Sequence, residues 1–278
     1  MRGDSRTYTG PIGLIAGNRD LPLMVAEKAR ALGRRLAVAA LEGEAEPALA
    51  ALADDFVWLK LGRLQATADF FRAAGVRDLV IIGGVSRDNL VLNYDPDEAA
   101  AALMETLEDY HTDRILRAFC RWLEERGFEV RAAAELLPEL LTPPGLLTRT
   151  APDEALAADL KVAWRVAKEL GRMDVGQCAV VSDRITLAVE AAEGTDAAVK
   201  RGAELAARPA AVAKVVKPGQ DLRLDPPVIG PETIAVMAAT KKIGALVIDA
   251  AQVLIVQREE TIRLADEAGL ALLAWIEE

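Results

Sequence analysis

The strongest constraint on this chain is a set of short runs with almost no polar residue, separated by helix-patterned stretches. Ile12-Gly13-Leu14-Ile15-Ala16, Leu36-Ala37-Val38-Ala39-Ala40-Leu41 and Leu79-Val80-Ile81-Ile82 are apolar at every position. A strand with one wet face alternates apolar and polar residues. A strand without that alternation is covered on both faces, as in a parallel sheet sandwiched between helices. Residues 23–32 and 66–74 have helical patterning and stop at Gly33 and Gly75, where glycine suits a helix C-terminus. Phe56-Val57-Trp58-Leu59 reads as a further strand. The expected fold class is therefore α/β with a parallel sheet in the first half.

Residues 98–125 read as one or two amphipathic helices closed by Gly127, with His111 inside them, and 128–130 as a short strand. Pro138, Pro143, Pro144, Gly145 and Pro152 then interrupt the pattern. This sets the expected organisation: an N-terminal α/β domain over 1–136, a proline-rich hinge over 137–153, and a C-terminal α/β domain over 154–278. In the second half, helix 154–170 precedes strands 178–181 and 185–189, joined by a tight turn at Ser182-Asp183-Arg184, then helix 197–207, strand 211–216, helix 231–240, strands 245–248 and 253–256, helix 259–268 and a last strand.

The formal charge of -10 and the 52% hydrophobic content describe a folded acidic protein. An acidic surface excludes a general nucleic-acid binder, which needs a basic face to neutralise phosphates. Two cysteines, Cys120 and Cys178, and one histidine, His111, are too few for a zinc site. No apolar run reaches the roughly 20 residues that span a bilayer, and the start Met1-Arg2-Gly3-Asp4-Ser5-Arg6 lacks the apolar core of a signal peptide. The expectation is a cytoplasmic protein with reduced thiols.

Chemistry concentrates in four places. Gly17-Asn18 ends the first strand before a helix, an arrangement that can present N–H groups to an anion, although the GxGxxG dinucleotide fingerprint is absent. Gly84-Val85-Ser86-Arg87 follows a parallel strand, where ligands bind in open α/β sheets; Ser86 and Arg87 suit a phosphate. Glu190 and Glu193 end a buried strand, Gly194, Thr195 and Asp196 follow, and Lys200 and Arg201 lie close behind. The paired glutamates suit Mg²⁺ with a phosphate, while Thr195 or Asp196 alternatively serves only as a helix N-cap. Lys217-Pro218-Gly219-Gln220-Asp221-Leu222-Arg223-Leu224-Asp225-Pro226-Pro227 cannot be a helix interior or central strand. In this loop Asp221 and Asp225 can divide metal binding and water activation, and Arg223 suits a phosphate oxygen. The bland alternative is a proline-stiffened surface loop.

These stretches, taken in order, resemble the LpxI-type family of UDP-2,3-diacylglucosamine pyrophosphatases of lipid A biosynthesis. The likeness runs through Gly13-Leu14-Ile15-Ala16-Gly17 with Leu21-Pro22, Gly84-Val85-Ser86-Arg87, Asp174-Val175-Gly176-Gln177, and Ala188-Val189-Glu190 with Glu193-Gly194-Thr195-Asp196. It continues through Gln220-Asp221-Leu222-Arg223-Leu224-Asp225, Pro227, Ile229-Gly230 and Thr233-Ile234. The resemblance implies two hinged α/β domains, the first Rossmann-like, that hold a lipid-linked UDP-sugar between them. It implies Mg²⁺-dependent hydrolysis to UMP and 2,3-diacylglucosamine 1-phosphate (lipid X), with water attacking the sugar-side phosphorus. Asp225 matches the family's essential aspartate, with Asp221 and Arg223 beside it; Asp225 and Asp221 are the expected metal ligands. Gly17, Asn18, Gly84, Ser86, Arg87, Gln177, Glu190, Gly194, Thr195, Asp196, Arg201, Lys217 and Gln220 are expected to line the substrate site. The chain departs from the pattern at Asn18-Arg19, where the family has more glycine, and at Pro226, where an aliphatic residue is usual. A membrane-borne substrate implies transient contact with the inner membrane surface, and hinged domains are compatible with a homodimer. The alternatives are a binding protein of the same fold without turnover, and a nucleotide-dependent dehydrogenase, against which the missing fingerprint counts.

Overall fold

A computed structural model of the chain describes residues 8, 10–86, 89, 93–109 and 111–276. They divide into two compact units, one made of Met1–Leu137 with Arg223–Asp225, the other of Pro138–Leu222 with Pro226–Glu278.

The first unit is built on β1 (Ile12–Ala16), β2 (Leu36–Leu41), β3 (Asp55–Leu59), β4 (Asp78–Ile82) and β5 (Glu129–Arg131). The sheet order is β3-β2-β1-β4-β5, and every pairing is parallel. The apolar runs are the inner strands, with β1 and β4 buried at all positions. Helices α1 (Leu21–Ala31), α2 (Leu64–Ala73), α3 (Glu98–Glu105), α4 (Thr112–Glu124) and the single turn α5 (Ala133–Leu136) accompany them. Phe71, Leu79, Ile81, Cys120, Trp122, Leu123 and Phe128 form one core cluster, and Leu224 of the separate segment Arg223–Asp225 is buried in it. His111 is not inside a helix as the pattern suggests. It occupies the N-cap position of α4 in extended backbone and is exposed.

The second unit carries β6 (Gly145–Leu146), β7 (Cys178–Ser182), β8 (Ile185–Val189), β9 (Ala210–Lys214), β10 (Val228–Ile229), β11 (Ile243–Asp249), β12 (Leu254–Ile255) and β13 (Ala271–Trp275). Its six-stranded sheet has the order β6-β13-β11-β9-β7-β8. The centre, β13-β11-β9, is parallel; β6 and β7 run against it and β8 runs against β7. β10 and β12 pair separately. The helices are α6 (Glu154–Arg172), α7 (Thr195–Leu205), α8 (Pro231–Thr240) and α9 (Arg258–Glu267).

Strand periodicity divides this sheet into two faces. Ala179, Ala211, Ala213, Ala245 and Ala271 pack with Leu160, Ala163 and Ala167 of α6. The small side chains let the long helix lie close to the strands. The opposite face, with Cys178, Val180, Val212, Leu246 and Leu272, packs with Val199, Ile234, Met237 and Ala265 of the other three helices. Asp153 starts α6 as an N-cap, accepting the Leu156 N–H at 2.8 Å. Among the described residues no helix is long and apolar enough to cross a membrane.

Candidate functional site

In the first unit the sheet's winding reverses between β1 and β4, and both strands end in glycine there. Such a switch point at the carboxyl ends of parallel strands is where open α/β sheets bind ligands. The approach is too tight for side chains: a Cβ on Gly17 would lie 2.3 Å from the Gly84 carbonyl oxygen, and Gly83 has φ +96°. Asn18 closes the crossing, since its N–H donates to the Gly84 carbonyl at 2.9 Å and its Oδ1 accepts the Gly84 N–H at 3.1 Å.

Glu44, on the loop after β2, organises this point. Its Oε1 accepts both the N–H and the hydroxyl of Ser86, each at 2.6 Å, and its Oε2 accepts Asn18 Nδ2 at 2.6 Å. Partial burial pushes this carboxyl up, but the donors of Ser86, Asn18 and Asn89 outweigh it and hold the group below the usual carboxylate range. Gly17, Asn18, Gly84 and Ser86 therefore do come together, around a glutamate that belongs to none of the sequence motifs. Its one visible signal is an acidic run, Glu42-Gly43-Glu44, directly after a buried parallel strand. Arg87 lies outside the described residues.

In the second unit, strand register brings Gln177, Glu190 and the start of the proline-rich loop to one end of the sheet. Cys178 at the start of β7 pairs with Lys214 at the end of β9, and Lys214 with Ile248 near the end of β11. Glu190, just after β8, donates its N–H to the Cys178 carbonyl at 2.9 Å. The Glu190 side chain is buried; it accepts the Gln177 N–H at 3.2 Å and the Thr195 hydroxyl at 3.0 Å. Gly176 must be glycine, because a Cβ there would fall 2.2 Å from the Glu190 carbonyl oxygen. Burial, and then the Glu190 and Asp196 carboxylates, push the Cys178 thiol up, so it stays protonated against the opposing pull of Lys214.

The cap of α7 is Gly194, with φ +84° and no side-chain cap, whereas the sequence points to Thr195 or Asp196. The reason is local: the Thr195 hydroxyl is held by Glu190, and both residues lie already inside the first turn. An 11-residue helix whose N-terminus has no side-chain cap is suited to an anion. Next to it Gln177 Oε1 is buried and has no hydrogen-bond partner among the described residues. A buried acceptor in that state fits a ligand that brings a donor. Arg201 is engaged with Glu193 Oε1 at 2.5 Å and the Val189 carbonyl at 2.8 Å. The backbone N–H of Glu193 itself, then the Arg201 guanidinium and the Ala191 N–H, hold the Glu193 carboxyl below its usual range.

The proline-rich loop leaves β9 at Lys214, whose Nζ donates to the Val228 carbonyl at 2.8 Å across the loop's far end. Lys217-Pro218-Gly219-Gln220 is a tight turn: Gln220 N–H donates to the Lys217 carbonyl at 2.9 Å, and Gln220 Oε1 accepts the Lys217 N–H at 3.0 Å. Lys217 Nζ pairs with Asp174 at 2.6 Å. Asp221 is half-buried in this unit. Arg223 and Asp225 belong to the first unit, where Arg223 Nη1 lies 2.7 Å from Glu124 and Asp225 is exposed.

Among the described residues no three His, Cys, Asp or Glu side chains gather as a ready metal site. That donor set does not suit a dedicated protein cage. Mg²⁺ in general needs no such cage, since it binds through one or two carboxylates and completes its shell with water and substrate phosphate.

The chain matches two family models that together cover most of its length: the LpxI N-terminal domain over residues 11–140 and the LpxI C-terminal domain over residues 143–273. It is also 36% identical over 273 residues to the UDP-2,3-diacylglucosamine pyrophosphatase LpxI of Caulobacter vibrioides (strain ATCC 19089 / CIP 103742 / CB 15), covering 94% of this chain and 96% of that protein. The two matched domains, and the almost end-to-end alignment with this relative, show that the chain belongs to the LpxI family.

Proposed function

We propose that the protein hydrolyses the pyrophosphate bond of UDP-2,3-diacylglucosamine. Water adds to the sugar-side phosphorus, the bridging oxygen leaves with UMP, and 2,3-diacylglucosamine 1-phosphate is the second product. The observation that carries this reading is the end-to-end match to a pyrophosphatase named for that substrate. The chemistry available agrees with it. Cleaving a phosphoric anhydride calls for neutralised phosphate charge and a positioned water. The α7 N-terminus offers backbone N–H groups, and Gln177 offers a buried acceptor. Asp225, exposed on the loop, is the carboxylate we assign to water, with Arg223 for a phosphate oxygen. Asp225 and Asp221 would hold Mg²⁺, which would supply charge neutralisation at the phosphates.

The test follows phosphorus products by NMR after incubation with UDP-2,3-diacylglucosamine, with Mg²⁺ and with chelator. Metal-dependent UMP and the lipid monophosphate are expected, and ¹⁸O-labelled water is expected to mark the lipid product. Label in UMP would move the attack to the other phosphorus. Binding without products would leave a binding protein of the same fold. Asp225→Ala is expected to lower turnover by at least a thousandfold with an unchanged circular dichroism spectrum; near-normal turnover removes Asp225 from the mechanism.

A further inference from the structure

At Val216, where the chain leaves β9 toward Asp221, lies a buried ion pair that no catalytic step uses. Lys168 of α6 and Asp249 at the end of β11 are 5% and 1% exposed, and their charged atoms are 2.8 Å apart. Both also grip the same residue. Asp249 Oδ2 accepts the Val216 N–H at 2.6 Å, and Lys168 Nζ donates to the Val216 carbonyl at 3.3 Å. Val216 is the second residue beyond β9 and the last before the Lys217–Gln220 turn. Around it the chain is close-packed: a Cβ on Gly171 of α6 would lie 3.0 Å from Lys217 Cα and 3.0 Å from Pro218 Cδ. The Trp164 ring centroid lies 5.2 Å from Lys168 Nζ.

A buried ion pair is a poor way to gain stability, because desolvation offsets its attraction and an apolar pair of similar size often does as well. This one instead meets both backbone polar groups of a single residue at the root of the loop. We infer that Lys168 and Asp249 are positioning residues for the pyrophosphatase reaction, a clamp on Val216 that sets where the catalytic loop emerges from the sheet. The inference rests on the assignment of chemistry to that loop, and neither side chain is placed in contact with substrate.

Two double variants separate positioning from mere stability. Lys168→Met with Asp249→Asn removes both charges but keeps an amide oxygen for the Val216 N–H. Lys168→Met with Asp249→Val removes that acceptor as well. Each is compared with wild type in steady-state turnover, thermal unfolding, and amide hydrogen exchange over residues 215–222. For the valine variant, exchange is expected to rise at least tenfold and kcat to fall at least tenfold, with KM within threefold. The asparagine variant is expected to recover most of both at a similar melting temperature. Unchanged exchange and kcat in the valine variant would overturn the clamp. So would losses that follow melting temperature alone, with the asparagine variant no better. Should the valine variant fail to fold, wild-type exchange and kcat in the asparagine variant support the acceptor role, and losses there overturn it. Should wild type turn over none of this substrate, the functional reading fails by itself, and the exchange comparison still decides whether the pair holds the loop.

Discussion

Glu44 gathers Ser86, Asn18 and, through them, the two glycine turns of the first unit. Hydrogen bonds to a charged group are worth about 1.5–3 kcal/mol each. Glu44→Gln keeps the shape and loses the charge, so it should lower local stability at this crossing by about 2 kcal/mol. Faster hydrogen exchange at the Ser86 amide would show it, and unchanged exchange would refute it. The sign with pH follows from the lowered folded-state value. The stabilisation is full above the unfolded carboxyl value near 4.3 and is lost as pH falls through the lower folded value. Acid should therefore loosen this crossing in wild type more than in Glu44→Gln. Local spacing does not reveal such a residue, because its partner Ser86 is 42 positions away. Lys168 is hidden in the same manner: on a helix it reads as one more basic residue, and its partner Asp249 is 81 positions on. Glycine and proline positions, by contrast, act on their own backbone, and the turns at Gly17, Gly84 and Gly219 were legible directly.

At the level of elements, the apolar runs announced β1, β2 and β4, and continuous burial of β1 and β4 bears out the parallel reading. In the second sheet the antiparallel β7–β8 pair was legible from its tight turn, but the antiparallel pairing of β7 with β9 was not. β7 runs against β9, and nothing in Cys178-Ala179-Val180-Val181 distinguishes a strand with an antiparallel neighbour from one with two parallel neighbours. The α7 cap was misread because Thr195 resembles a capping residue in isolation, whereas Glu190 takes its hydroxyl. The Asp153 cap on α6 is a cleaner case. Asp153→Ala should cost about 1 kcal/mol and lower the melting of the second unit by about 2–4 °C. No shift in calorimetry would show that packing against the sheet alone holds that end of the helix. Gly176→Ala should be harsher, since the new methyl meets a carbonyl rather than a movable side chain. It should expose the Gln177 amide to exchange and weaken any ligand held beside Glu190.

Across the whole chain there are two thiols, and each unit has one: Cys120 in the core of the first, Cys178 beneath the sheet edge of the second. Both are inaccessible in the folded state, and for Cys178 the raised thiol pKa keeps the reactive thiolate scarce besides. Each unit thus contains its own chemical clock, started only when that unit opens. A chromogenic disulfide added in moderate urea should be consumed in two phases of one equivalent each, and Cys120→Ala should delete the phase that belongs to the first unit. A single phase of two equivalents would mean that the units open together.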